Sequence, residues 1–165
     1  MEKMSKMDAL TDMHNHRTFQ EYFDTMIRQA SRSDNSLQLA IFDIDDFKRI
    51  NDTFGHSVGD IILQRISSKI KTMVTVDDIT VRYGGEEFAV ILTNKTMEQS
   101  LILLESIRKA IQDESHIELN RNVTVSVGVH EYYKGEAKEE VFNKVDDALY
   151  EAKHSGKNKI VVTVA

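Results

Sequence analysis

The sequence contains no cysteine, no proline and no tryptophan. Without cysteine there are no disulfides, thiolate nucleophiles, iron–sulfur clusters or cysteine zinc sites. Any chemistry must come from carboxylates, lysine, arginine, histidine and the backbone. Without proline, and with 7 glycines scattered along 165 residues, there is no Pro/Gly-rich linker, and neither repeat nor low-complexity segment interrupts the pattern. The expectation is one domain over residues 1–165. Long apolar runs are missing too. Runs such as Leu39-Ala40-Ile41-Phe42 and Ile160-Val161-Val162 are strand-sized against the about 20 residues of a membrane span. No leading segment joins a basic region, an apolar run and a small-residue cleavage site. We therefore expect a cytoplasmic domain that makes no membrane contact. Positive charge is in deficit, with 21 Lys+Arg against 27 Asp+Glu and a net charge of -6. That balance disfavours nucleic-acid binding, and a polymerase-like role with it, since duplexes need a basic face. A nucleotide held through a metal stays open.

What is present supports a sizeable core, with 41% hydrophobic and 29% charged residues. Asn15 to Ser33 places Phe19, Tyr22, Phe23, Met26 and Ile27 at helical spacing, with Asn15 as cap. Leu37 to Ile44 is nearly continuous apolar sequence, which suits a strand covered on both faces. Gly55 to Met73 repeats Val58, Ile61, Ile62, Ile66 and Ile70 as a second helix. Ile79–Tyr83 and Phe88–Leu92 read as strands joined through Gly84-Gly85, a pair that permits positive φ in a tight hairpin. Thr96 to Asp113 is helical, Val123, Val125, Val127 and Val129 alternate as a strand, Val141 to Ala152 is helical, and Ile160 to Val164 is a last strand. The fold class expected is α/β (α+β), with about five strands in a central sheet flanked by helices in two layers or a sandwich.

Four constellations carry chemistry. Asp43 and Asp45 alternate to one side at the end of the buried strand, where two anions repel unless a cation joins them. Hard carboxylate oxygens suit Mg²⁺ or Mn²⁺, although Asp45 or Asp46 can equally cap the next helix. Glu86 and Glu87 sit beside Gly84-Gly85, either as solvated charges on a turn or as carboxylates completing a metal site begun by Asp43. Asn51 and Asp60 carry the donors and acceptors that read a guanine edge, with a helix cap and a solvated face as the plainer readings; His56 reads equally as a surface histidine. Lys153 and Lys157, either side of a helix end at Gly156, are ordinary helix-terminal lysines unless they converge with the other groups as phosphate clamps.

Together these motifs resemble the GGDEF family of diguanylate cyclases, named for the hairpin that here reads Gly84-Gly85-Glu86-Glu87-Phe88. The resemblance extends to Asp8-Ala9-Leu10-Thr11 with Asn15-His16-Arg17, to Phe42–Asp60, to Thr124–Gly128 and to Ala152–Asn158. His16 departs from the pair of arginines usual there. The resemblance implies a bacterial signalling enzyme with a fold similar to nucleotidyl cyclases and polymerase palms. It would condense two GTP into cyclic di-GMP and two pyrophosphates as a face-to-face homodimer, in a domain excised from a longer protein with an upstream sensory domain. It further implies that Asp43, Glu86 and the Ile44 carbonyl hold Mg²⁺ (or Mn²⁺), two ions per GTP, and that Glu87 assists in coordination or catalysis. Asn51 and Asp60 would read guanine with His56 near the nucleoside and Gly84 and Gly85 beside the ligand. Asp46, Phe47 and Lys48 would present backbone N–H groups to the β/γ-phosphates, and Lys153 and Lys157 would neutralise them. The alternative is a non-catalytic GTP-binding or partner-docking member. Many relatives carry an Arg-x-x-Asp product site before the hairpin; the aligned stretch is Thr75-Val76-Asp77-Asp78, which lacks the arginine, so no tight product inhibition is expected there.

Overall fold

The computed structural model describes residues 5–163. Its organising element is β1 (Leu37–Ile44), buried at every position and paired antiparallel on both sides, with β3 (Glu87–Thr93) and β6 (Val125–Glu131). A strand flanked on both edges and covered on both faces can be apolar throughout, which is why its sequence shows no alternation. Outside it, β2 (Ile79–Arg82) pairs antiparallel with β3 and β7 (Ile160–Val162) pairs parallel with β6. The sheet order is β2-β3-β1-β6-β7. The expected five-stranded mixed sheet is present.

Alternate residues of β1 feed two cores. Ala40, Phe42 and Ile44 join Phe88, Val90 and Val127 under α3 (His56–Met73) and α4 (Met97–Asp113), which contribute Ile62, Ile66, Leu104 and Ile107. Leu39 and Ile41 join Ala89 and Ile91 under α1 (His16–Ser31) and α5 (Lys138–His154), which contribute Phe19, Phe23, Val145 and Leu149. The result is three layers, helices on each face. Each fully buried Phe, Ile or Leu side chain contributes about 1.5–3 kcal/mol, so tertiary burial outweighs local propensity in holding these helices. Caps set their limits. Asn15 Oδ1 accepts from the Thr18 N–H at 3.0 Å, and Thr96 forms a reciprocal capping box with Gln99.

Several expectations are corrected. The helical stretch after β1 is two helices, α2 (Phe47–Phe54) and α3, broken at Gly55, whose φ is 91°. Gly84 and Gly85 do not adopt the left-handed region, which among glycines is taken by Gly55, Gly135 and Gly156. The hairpin is wider than two residues, with the N–H groups of Tyr83 and Gly84 both donating to the Glu87 carbonyl at 2.9 and 3.1 Å. Val123 is buried but precedes β6. A small hairpin of β4 (Ser115–His116) and β5 (Arg121–Asn122) was not expected. The last strand ends at Val162, and Val164 lies outside the described residues.

The seating of α5 on the sheet depends on Gly128 in β6. A Cβ there would stand 2.5 Å from the Leu149 backbone nitrogen and 2.6 Å from the Val145 carbonyl oxygen. Both obstacles are main chain of α5, so neither can rotate away. Gly128→Ala is therefore expected to lift α5 and lower stability by about 1–3 kcal/mol, read as an earlier urea midpoint. An unchanged midpoint would contradict this packing account.

Candidate active site

The site lies where β1, the β2–β3 hairpin and α5 meet. Asp43 is the next-to-last residue of β1 and stands directly across from Glu87 in the antiparallel register, so both side chains leave the same face of the sheet. Glu86 is tied to the strand end by its carbonyl, which accepts from the Ile44 N–H at 3.2 Å. Burial raises the pKa of Asp43, and the neighbouring Asp45 raises it further, against the lowering effect of Lys153. Burial likewise raises Glu86 and Glu87, and the charge of Asp43 adds to both. Asp146 on α5 adds to Glu87. Lys153 Nζ stands 2.7 Å from Asp43 Oδ1 and 3.7 Å from Asp45 Oδ1. In spite of that ion pair the net shift of Asp43 is upward, because desolvation outweighs one partly exposed ammonium.

Asp43 and Asp45 thus share one lysine, as their alternation suggested, but their surroundings differ. Asp45 is buried and accepts from Thr124 Oγ1 at 2.7 Å, Ser126 Oγ at 2.6 Å and the Asn158 N–H at 3.1 Å. Its carboxylate is occupied in joining β1 to β6 and to the turn after α5. Asp43 Oδ1 is buried and makes no aligned hydrogen bond. Among the described residues no three His, Asp or Glu side chains form a ready-made metal cage. Magnesium does not need one, since it binds through one or two carboxylates and keeps water and phosphate oxygens as its other ligands. A buried carboxylate whose one counter-charge is the Lys153 ammonium, with two further acids at the same strand end, fits such an ion. Asp43, Glu86 and the end of β1 at Ile44 are the groups that could hold it.

Beyond β1 the chain turns through Asp46, whose φ of 58° is left-handed and whose side chain makes no capping bond to α2. The leading amides of α2, at Phe47 and Lys48, are therefore not consumed by their own cap, which leaves a site favourable for anions. The Asp46 carboxylate instead accepts from Lys157 Nζ at 2.8 Å. That hydrogen bond leads the causes that hold its pKa below the ordinary range, with Arg49 and Arg121 assisting. Lys157 arrives by an unexpected route. Gly156, Lys157 and Asn158 have φ of 119°, 61° and 49°, and this left-handed run, rather than helical spacing, turns Lys157 toward the same end of the site as Lys153.

Next to the acids opens a cleft of about 490 Å³ lined by Phe47, Lys48, Asn51, His56, Asp60, Leu63, Arg82, Gly85, Glu86 and Glu87. Eight sequence-chosen residues thus line one cavity, drawn from α2, α3 and the hairpin. Asp43, Ile44, Asp46, Lys153 and Lys157 adjoin it through the contacts above. Gly84 is a close-approach glycine, since a Cβ there would stand 2.8 Å from Glu87 Oε1, whereas at Gly85 it would meet nothing within 4 Å. Sequence reasoning assigned no role to Leu63 or Arg82. Leu63 follows Asp60 by three residues on α3, a spacing that was available. Arg82 immediately precedes the hairpin and braces it: its side chain donates to the Gly84 and Gly85 carbonyls at 3.3 and 2.8 Å and pairs with Asp8 at 3.2 Å. His16 supports the same loop, with Nδ1 at 2.9 Å from the Tyr83 carbonyl oxygen and its ring 4.8 Å from that of Tyr83.

On the far side of the hairpin, the Thr75–Asp78 stretch is closed upon itself. Asp78 accepts from the Thr75 N–H at 2.9 Å, Thr75 Oγ1 at 2.8 Å and Lys95 Nζ at 2.6 Å, and its side chain is wholly buried.

Comparison with known proteins identifies the family and the fold. The family described as "Diguanylate cyclase, GGDEF domain" matches residues 5–159. Diguanylate cyclase A of Treponema denticola is 36% identical over 163 residues, covering 93% of this chain and 44% of the relative. The response regulator PleD of Caulobacter vibrioides is 34% identical, covering 96% of this chain and 36% of that protein. The chain thus spans less than half the length of these curated relatives. Among solved structures, the GGDEF domain of DgcB from Caulobacter crescentus in complex with c-di-GMP superposes with a TM-score of 0.91 at 31% identity, covering 98% of each chain. With the family matched over nearly the whole chain and the fold shared throughout, this protein belongs to the GGDEF-domain family of diguanylate cyclases.

Proposed function

We propose that this domain condenses two molecules of GTP into cyclic di-GMP with release of two pyrophosphates. The observation that carries the reading is the convergence of Asp43, Glu86 and Glu87 between a nucleoside-sized cleft holding Asn51 and Asp60 and a phosphate end holding Lys153 and Lys157. Asn51 and Asp60 select the guanine, with His56 beside the nucleoside. Gly85 leaves room for the ligand at the hairpin. The first amides of α2 and the two lysines hold the β- and γ-phosphates, with the lysines turning from Asp43 and Asp46 to the incoming anion. A divalent ion held by Asp43, Glu86 and the Ile44 carbonyl would, when bound, polarise the α-phosphate and offset charge on the departing pyrophosphate. At each of two successive steps a 3′-oxygen forms a bond to an α-phosphorus, the bond to pyrophosphate breaks, and the hydroxyl proton leaves. Glu87, half-buried and raised in pKa by burial, would assist in holding the ion or take that proton.

One cleft accommodates one GTP, so two copies must meet face to face. The two-fold symmetry of the product matches a C2 pair of half-sites. The domain would then work in the cytoplasm under an upstream sensory domain of a longer protein. No helix among the described residues is long and apolar enough to cross a membrane.

Concentrated protein incubated with GTP and Mg²⁺ is expected to yield cyclic di-GMP by nucleotide chromatography, and Asp43→Ala is expected to yield none. Absence of product from the parent, even when two copies are artificially dimerised, would favour a non-catalytic GTP-binding module. Because Asp78 is enclosed by its own turn and residue 75 is threonine, calorimetry should detect no submicromolar cyclic di-GMP binding that Asp78→Ala removes. Finding such binding would overturn the expectation that product inhibition at this turn is absent.

A further inference from the structure

Gly59 lies in the first turn of α3 and is buried. Its backbone is ordinary, since the left-handed glycines are Gly55, Gly135 and Gly156. Any residue could adopt that conformation, and glycine is among the poorest helix formers. What glycine supplies here is space. A Cβ at position 59 would stand 1.9 Å from Asn51 Oδ1, 3.0 Å from Asn51 Cγ and 3.2 Å from Phe47 Cζ. The Asn51 amide therefore lies against the bare Cα of Gly59, eight positions on and across the Gly55 break. Its Oδ1 is buried there without a hydrogen-bond partner, while Asn51 and Asp60 line the same cleft.

We propose that Gly59 is a positioning residue for base recognition: its missing side chain is the seat that holds the Asn51 amide in register with Asp60. The proposal rests on reading Asn51 and Asp60 as the guanine-selecting pair, and it adds what fixes their mutual geometry. Gly59 itself touches no substrate. The hard clash is with the far end of a side chain that has two rotatable torsions, and the Phe47 ring tip at 3.2 Å need give by only a few tenths of an ångström, so the strain is relieved by swinging Asn51 away rather than by moving a helix. Substitution should spare the fold and damage recognition. A glycine needed only for helix packing would show the reverse pattern.

The test compares the parent, Gly59→Ala, Asn51→Ala and the double variant by calorimetric titration with α-thio-GTP and α-thio-ATP in the presence of Mg²⁺, with a thermal melt of each. Gly59→Ala is expected to melt no lower than the parent and to bind α-thio-GTP about ten- to a hundred-fold more weakly, with its preference over α-thio-ATP narrowed. In the Asn51→Ala background, adding Gly59→Ala should change affinity by less than about two-fold. Four results would overturn the proposal. Parent-like affinity and base preference in Gly59→Ala, beside loss of both in Asn51→Ala, would sink it while sparing the guanine reading. Additive losses in the double variant would show that Gly59 does not act through Asn51. A lowered melting temperature with base preference retained would assign Gly59 to packing. Parent-like selectivity in Asn51→Ala would remove the guanine reading, and this proposal with it.

Discussion

The structure turns on a carboxylate that the fold makes expensive to keep charged. Asp43 ends a strand buried on both faces, and the register of the sheet sets Glu87 directly across from it. Burial raises the pKa of all three acids at this point, and the charge of Asp43 raises both glutamates further. Lys153 answers part of that demand from α5, but a single ammonium does not outweigh the desolvation, and the pKa of Asp43 stays raised. Such a group is costly to a protein unless something joins it. A phosphate-bearing substrate that brings its own divalent ion would complete the balance, which is why geometry and electrostatics point to the same chemistry.

Much of the remaining architecture serves to hold this point still. Asp45, two residues on from Asp43, is turned to structural use by Thr124, Ser126 and Asn158. It fixes the end of β1 and the loop that carries Lys157. Gly128 lets α5 approach β6 closely enough for Lys153 to reach the acids. Arg82 ties the two hairpin glycine carbonyls to Asp8 in the segment ahead of α1. Neighbouring acids in one short motif therefore have unlike roles, decided by which donors the fold brings to each.

The sequence made the periodic parts of this fold legible. The unbroken apolar run of β1 and the three-and-four spacing of α3, α4 and α5 reflect burial directly, and the Asn15 cap follows from local hydrogen bonding. The site residues were legible as motifs, and eight of them line one cleft. What escaped were features without a period. Two-residue strands such as Ser115–His116 and Arg121–Asn122 leave no alternation to detect. Gly84 was assigned to the turn and to ligand approach, yet the group its missing side chain makes room for is the Glu87 carboxylate, a side-chain orientation that no sequence period reveals. Lys157 was expected to face the site from beyond a helix end at Gly156, and it does so through consecutive left-handed residues, two of them not glycine, a conformation that composition does not announce. The role of Asp45 was hidden because its partners lie on β6, in the loop before it and after α5.

In the proposed reaction the acids around Asp43 bind nucleotide through a divalent ion. Calorimetry of α-thio-GTP binding, with and without Mg²⁺, to the parent and to Asp43→Asn tests it most directly. The account predicts that Mg²⁺ strengthens binding to the parent at least about ten-fold and that this enhancement disappears in the variant. An equal enhancement in both proteins would place the ion elsewhere and contradict it.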